Sequence, residues 1–307
     1  MNQNTFQRDT FIETLLYFAK KDKNIIFISA DFGAPALDIF REQLPDQFFH
    51  SGISEQNMID MAGGLALAGK KVFVYAMAPF ITLRCIEQIK CSLALMNLPV
   101  TILSIGAGLG YADAGPTHYT TEDIACMRSI VNLDVYSPCD LESTQEIAKL
   151  TINEPKLRII RLERHALPKI YTENFSYKDG FNIIKSGQNT CLISSGYMLH
   201  RSIDAAGLLN KEGKNISVID LFCIKPISLS FIDILKEFNN IVTLEEQCLD
   251  GGFGSAVIEY LSDFQINKKV IRIGLPKKYF YENGGRNYLL DKFGLSTKNI
   301  VKIIQDL

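Results

Sequence analysis

Along the first half of the chain the apolar positions keep changing period. Spacing of 3.6 residues gives way to short β-branched runs and then returns. This pattern predicts strands over 24–29, 72–75, 100–105, 135–137 and 158–161, and helices over 10–20, 54–69, 80–96, 121–130 and 141–152. Such alternation is the signature of a parallel sheet covered by helices on both faces. A polar, weakly patterned passage over 169–187 reads as a connecting arm. A second αβ pattern follows, with strands over 190–194, 216–219 and 241–244 and helices over 198–209, 227–238 and 252–261. The chain ends in a helix over 296–307 that starts at a Ser/Thr cap. The expected fold is α/β in two domains: a parallel-sheet domain over 1–168, a linker over 169–187 and a smaller αβ domain over 188–307. The two halves differ in spacing, and no internal repeat is visible.

Composition narrows the function. With 307 residues, 47% hydrophobic and 21% charged, the chain has enough apolar material for two cores. Its net charge of -2, without a Lys/Arg block, offers no footprint for nucleic acid or an anionic membrane. The expected partners are a small molecule and another protein. Cys85, Cys91, Cys126, Cys139, Cys191, Cys223 and Cys248 lie scattered in apolar surroundings with no CxxC pair, which reads as reduced core cysteines. The N-terminus has no apolar run and no later segment is suited to span a bilayer, so a cytoplasmic location is expected.

Candidate chemistry concentrates in a few places. In Ser51 to Gly69 a single carboxylate, Glu55, opens a long helix behind a potential cap, Ser54, and the next fourteen residues carry one charge, Asp60. That helix should be buried on most sides. Glu55 either complements the helix dipole or does chemistry at its mouth. Two glycine-rich passages, Gly106 to Gly110 and Gly251 to Gly254, lack the dinucleotide fingerprint and read as backbone turns. The loop from Tyr111 to His118 follows a core strand, where ligands bind in parallel sheets, although a histidine bonded to its own loop is the simpler reading. Phe80, Ile81 and Leu83 read first as core, and Arg84 as the partner of Glu87 or of a neighbouring subunit. Arg161, Arg164 and His165 at a strand end either hold a phosphate or pair at the surface.

Taken in order, several segments resemble the C-terminal half of transketolase. They are Ser-Ala-Asp31, Gly-Ile-Ser-Glu55-Gln-Asn-Met, Phe80-Ile-Thr-Leu-Arg84-Cys-Ile-Glu-Gln88, Gly115-Pro-Thr-His118, Glu122-Asp-Ile-Ala-Cys-Met-Arg128, Ser-Pro-Cys-Asp140 and the run from Leu244 to Ala256. The resemblance covers nearly the whole chain and is nearest to the separately encoded C-terminal subunits of split transketolases. It implies a pyrimidine-binding domain over 1–168 and a transketolase C-terminal domain over 188–307. It also implies dependence on thiamine diphosphate and Mg2+. Glu55 matches the glutamate that bonds the cofactor's aminopyrimidine, Phe80 the aromatic that stacks on it, and Asp31 and Arg84 fall among the cofactor-binding positions. His118 matches the catalytic and substrate-binding histidine, with Asp113, Arg161 and Arg164 as further substrate contacts.

Two features set the expected partner and substrate. The family holds the diphosphate and its magnesium with Gly-Asp-Gly and an asparagine, and Gly-Asp-Gly is absent here. The resemblance therefore implies an N-terminal subunit carrying that domain, active sites shared between subunits, and a two-plus-two heterotetramer built on a homodimer, with no metal ligand from this chain. The family aspartate before Gly-Pro-Thr-His is replaced by Ala114, and a further family histidine by Gly106, which alters the donor contacts. The implied activity is transfer of a two-carbon ketol unit between phosphorylated or otherwise activated sugars. Rival readings are a pyruvate-using relative, either deoxyxylulose-phosphate-synthase-like or a 2-oxoacid dehydrogenase beta subunit, and a non-catalytic regulatory subunit.

Overall fold

The structure is a computed structural model that describes residues 6–30, 33–172 and 175–307. The chain divides into two compact units, Met1–Ala107 with Cys126–Phe175, and Gly108–Ala125 with Ser176–Leu307. The first unit runs α1 (Gln7–Ala19), β1 (Ile25–Ala30), α2 (Pro35–Gln43), β2 (Phe48–Gly52), α3 (Glu55–Leu67), β3 (Lys71–Met77), α4 (Ala78–Ile81), α5 (Ile86–Gln88) and β4 (Val100–Ile105). After the loop that begins at Gly108 come α6 (Asp123–Arg128), β5 (Asp134–Tyr136), α7 (Leu141–Asn153) and β6 (Arg158–Leu162). The strands pair in the order β5-β6-β4-β3-β1-β2, all parallel. β1, β4 and β6 are buried along their whole length, as expected when both faces of a parallel sheet are covered, even though Ser29, Thr101, Ser104, Arg158 and Arg161 interrupt their apolar sequences. Phe27 lies at the aromatic centre of this core, its ring 5.2 Å from Phe40 and 6.1 Å from Tyr75 in edge-on packing.

The second unit contains β7 (Asn182–Lys185), β8 (Thr190–Ser194), α8 (Tyr197–Lys211), β9 (Ser217–Asp220), β10 (Cys223–Lys225), α9 (Phe231–Lys236), β11 (Asn240–Cys248), α10 (Phe253–Asp263), β12 (Lys269–Leu275), α11 (Gly285–Lys292) and α12 (Thr297–Gln305). Its sheet has the order β12-β11-β8-β9-β7, parallel except for β7, which runs antiparallel to β9. Ser296 caps α12 as expected, its Oγ accepting from the Asn299 amide at 3.2 Å.

The α/β class is as the periodicity predicts, and the structure corrects several details. The stretch 80–96 is not one helix. Thr82 leaves helical geometry (φ -98°, ψ -81°) because its hydroxyl bonds the Ala78 carbonyl at 2.6 Å. A 3-10 turn (Leu83–Cys85), α5 and a π-helical segment (Ile89–Ala94) follow. α3 is not enclosed on most sides, since Gln56, Asn57, Asp60, Gly64 and Leu67 are exposed along one stripe. Ser54 does not cap it, because its hydroxyl turns back to the Ser51 carbonyl at 2.5 Å. The passage 169–187 holds the edge strand β7, whose short half-exposed Asn-Ile-Ile-Lys sequence carries little pattern. Among the described residues no helix is long and apolar enough to cross a membrane.

Asp140 joins two parts of the first unit. It makes a capping box with Ser143 at the start of α7, while its Oδ2 accepts from the amides of Ile170 and Tyr171 at 2.9 and 2.8 Å. Replacing Asp140 with Ala removes a cap and orphans two further donors, so a loss of about 2–4 kcal/mol is expected. Urea unfolding of the variant, followed by tyrosine fluorescence, measures it; an unchanged midpoint contradicts this account.

Candidate active site

The first turn of α3 places Glu55 where β2 ends. Its carboxylate is buried, and Oε2 accepts from Arg84 Nη1 at 2.7 Å. Arg84 is half-exposed and lies over the Phe80 ring, 4.3 Å from its centroid, while its carbonyl accepts from Gln56 Nε2 at 3.2 Å. The partner of Arg84 is thus Glu55, not Glu87. Residues 84 and 87 would face each other on a continuous helix, but the 3-10 turn at 83–85 directs the guanidinium back to α3. Arg84 engages only one oxygen, and Oε1 takes no hydrogen bond from the described residues. Met58 on α3 is fully buried and Phe80 partly so. The Cys85 thiol donates to the Phe80 carbonyl at 3.2 Å, and its pKa is pushed up to about 12, first by burial and then by the charge of Glu55, with Arg84 opposing. The arrangement is a single buried carboxylate with one oxygen held by a cation, and that cation lies over an aromatic ring.

Other expected site residues lie elsewhere. Arg161 is buried within β6, its Nη1 on the Ser137 hydroxyl at 3.2 Å and its backbone in register with Ser104 of β4. Arg164 lies just beyond the strand and is partly exposed. Its amide donates to Glu163 Oε1 at 2.7 Å, and the Glu163 amide donates in turn to Gln7 Oε1 at 2.7 Å. Of the two arginines, Arg164 is the one that reaches solvent at the carboxyl end of the sheet. Asp31 lies outside the described residues.

Asp113 and His118 belong to the loop grouped with the second unit. His118 Nδ1 is 3.0 Å from the Thr117 hydroxyl, its amide bonds the Gly115 carbonyl at 2.9 Å, and its ring lies 6.4 Å from Tyr111. Asp113 and Ala114 are exposed beside it. Burial raises the pKa of the Tyr119 phenol, and the charges of Glu282 and Asp113 add to that rise. Behind the loop is a cavity of about 370 Å³ lined by Pro116, Tyr119, Cys248, Lys277 and Phe280 among others.

Sequence reasoning missed two carboxylates of β11. Glu245 accepts from the Phe253 and Gly254 amides at 2.6 and 2.9 Å, filling the N-terminus of α10. The run Gly251 to Gly254 is therefore the turn expected, with an internal carboxylate where a phosphate would otherwise sit. Glu246 forms a two-pronged pair with Arg286, whose guanidinium lies 3.6 Å above Tyr197. The signal in the sequence was the polar Glu-Glu-Gln directly after an apolar strand.

The profile of the transketolase pyrimidine binding domain matches residues 7–169, and that of the transketolase C-terminal domain matches residues 180–300. The chain belongs to the transketolase family. It is 32% identical over 299 residues to an apulose-4-phosphate transketolase subunit from Phocaeicola vulgatus, covering 96% of this chain and 95% of that one. It is 33% identical over 303 residues to 1-deoxy-D-xylulose-5-phosphate synthase of Caldanaerobacter subterraneus subsp. tengcongensis, covering 96% of this chain but 48% of that enzyme. Among solved structures, a split-gene transketolase described as an inactive beta4 tetramer superposes with a TM-score of 0.88 at 29% identity, covering 99% of this chain and 98% of that one. For the transketolase cofactor, thiamine diphosphate, the buried Glu55 carboxyl with its uncommitted Oε1, held by an arginine that lies over the Phe80 ring, fits the pyrimidine end. Among the described residues no group of three His, Cys, Asp or Glu side chains is arranged to hold a metal ion.

Two of the buried thiols, Cys85 and Cys191, have their pKa raised from 9.0 to about 12, in each case chiefly by burial. Folding favours the neutral thiol, so this contribution is complete below about pH 9 and is lost as pH rises toward 12. Stability should therefore decline above about pH 9. In native protein at that pH iodoacetamide should label the exposed Cys91 and spare Cys85 and Cys191; mass spectrometry of the labelled peptides reads the outcome.

Proposed function

We propose that this chain is the C-terminal subunit of a thiamine-diphosphate-dependent split transketolase that moves a two-carbon ketol unit between phosphorylated or otherwise activated sugars. The observation that carries this reading is Glu55, a buried carboxyl at a helix mouth with one oxygen uncommitted, in a chain that matches an apulose-4-phosphate transketolase subunit over nearly its full length. When bound, thiamine diphosphate supplies the carbon nucleophile that takes the ketol unit from one sugar and gives it to another. With the cofactor bound, Glu55 would bond a pyrimidine nitrogen through its uncommitted oxygen, while Arg84 fixes the carboxyl by the other. Phe80 offers its ring to the pyrimidine and, with Met58, keeps water from the carboxyl. Asp113 and His118 would take the donor's hydroxyls, and Arg164 its anionic end, while Arg161 stays buried on Ser137 within β6.

The diphosphate and Mg2+ are assigned to an N-terminal subunit, in a two-plus-two heterotetramer with shared active sites. Support comes from the surface around Glu55. Ile53, two residues before it, is 77% exposed, and Leu67 on the open stripe of α3 is 62% exposed. Apolar side chains so exposed at the two ends of α3, one of them two residues from a buried carboxyl, fit a face covered in the assembled enzyme.

A pyruvate-using reaction is the second reading, favoured by the identity to a deoxyxylulose-phosphate synthase and by Ala114 before the Gly-Pro-Thr-His turn. Co-purification with the N-terminal subunit, followed by assays with hydroxypyruvate, ketose phosphates and pyruvate, separates the two. Glu55→Gln in that complex should lower turnover by about a hundredfold or more with the assembly intact by native mass spectrometry. Unchanged turnover would remove Glu55 from the role assigned to it.

A further inference from the structure

The loop carrying His118 is built against β11, and three successive β11 residues touch its two ends. The Thr120 amide donates to the Gly108 carbonyl at 2.8 Å, closing the loop as an antiparallel bridge. Gly108 has φ +59°, and a Cβ there would lie 2.2 Å from Glu246 Oε2, so the Glu246 carboxylate packs directly on its backbone. Gln247 Nε2 donates to the Thr120 carbonyl at 2.8 Å, and the Cys248 amide donates to the Thr121 carbonyl at 2.9 Å. Phe280 stacks on Tyr119 at 5.4 Å, and the Tyr119 hydroxyl reaches the Ala112 carbonyl across the loop at 3.4 Å. β11 is free to do this because its register with β12 shifts between Leu244 and Cys248, which turns the last residues of the strand away from regular pairing.

Gln247 is the informative residue. It is 2% exposed, and its Oε1 is buried without a hydrogen-bond donor among the described residues. A buried amide with half its capacity unused is unfavourable compared with an apolar side chain of the same length. What glutamine adds at this position is the Nε2 bond to Thr120. The pair of Glu246 with Arg286, stacked on Tyr197, holds the preceding residue rigid and fixes the direction from which Gln247 reaches the loop.

We infer that Gln247 is a positioning residue: by tying Thr120 to β11 it sets the closure of the 108–120 loop and hence where His118 is presented to the donor substrate. The part concerning substrate rests on the ketol-transfer reading above; the part concerning the loop does not. The test uses Gln247→Met, which keeps length and loses the donor, and Phe280→Leu, which loosens the Tyr119 stack from the other side. In the full chain, hydrogen exchange of the His118 and Thr120 amides should accelerate about tenfold in both variants while β8 and α8 amides keep their rates. In the assembled enzyme, kcat/KM for the donor should fall about 10–100-fold, with the acceptor KM and thiamine diphosphate affinity unchanged. A merely structural role would instead lower Tm and speed exchange throughout the second unit without a selective donor effect. Unchanged exchange over 108–120 in both variants overturns the inference. Faster exchange with an unchanged donor kcat/KM overturns its link to His118. Absence of ketol transfer in the wild-type complex is a failure of the functional reading, visible before any variant is made, and leaves the exchange arm to decide the tether.

Discussion

Burial of carboxylates is the constraint around which this chain is arranged. A carboxylate removed from water must find a cation or a set of N–H donors, or its desolvation cost goes uncompensated. Asp140 takes the α7 amide and two amides of the 170–171 segment. Glu245 takes the first amides of α10, and Glu246 takes both prongs of Arg286. In each case the partner lies far along the chain or on a different element, so satisfying the charge also fixes a tertiary arrangement. Glu55 differs from these three: it is held through one oxygen, by an arginine that remains half-exposed. That difference separates a carboxylate that serves the fold from one left available for chemistry.

Each unit carries its candidate groups on irregular backbone. The first unit holds Glu55, Phe80 and Arg84 next to a chain segment that abandons regular helix for a succession of tight turns. That irregularity is what brings Arg84 back onto α3. Regular helix over 80–96 would have placed Arg84 by Glu87 and left Glu55 buried without a cation. The second unit holds the loop of Asp113 and His118 against the end of β11, where parallel pairing has already lapsed. Both departures from ideal secondary structure occur next to candidate functional groups, as local strain and irregularity commonly do.

Much of the fold is legible along the chain. Buried strands such as 100–105 and 190–194 announce themselves as short, uncharged, mainly apolar runs, and their structural counterparts match at both ends. What escapes the pattern is short or edge structure: β2 buries only Phe48, β7 buries no residue fully, and β12 alternates only loosely. Their pairing is decided by backbone groups of neighbouring strands, which side-chain pattern does not encode. For the site, Glu55 and His118 have ordinary local readings, a carboxylate at a helix N-terminus and a histidine bonded to its own loop, and only the order of motifs along the chain, which points to the family, marks them out. The partner of Arg84 is misread when helical spacing is carried through Thr82. The roles of Glu246 and Gln247 are unreadable because their contacts are more than a hundred residues away at Gly108 and Thr120.

The sequence by itself determined the α/β class, the transketolase family and the identity of the candidate carboxyl, since each depends on local periodicity or on residues in a fixed order. Only the tertiary structure decided which cation meets Glu55, which face of α3 stays open and which strand holds the His118 loop. These follow from a 3-10 turn at 83–85, a hydroxyl at Thr82 that bends its helix, and a register shift at the end of β11. Each is a competition between near-equal local hydrogen-bonding choices, settled by what the rest of the chain packs beside them.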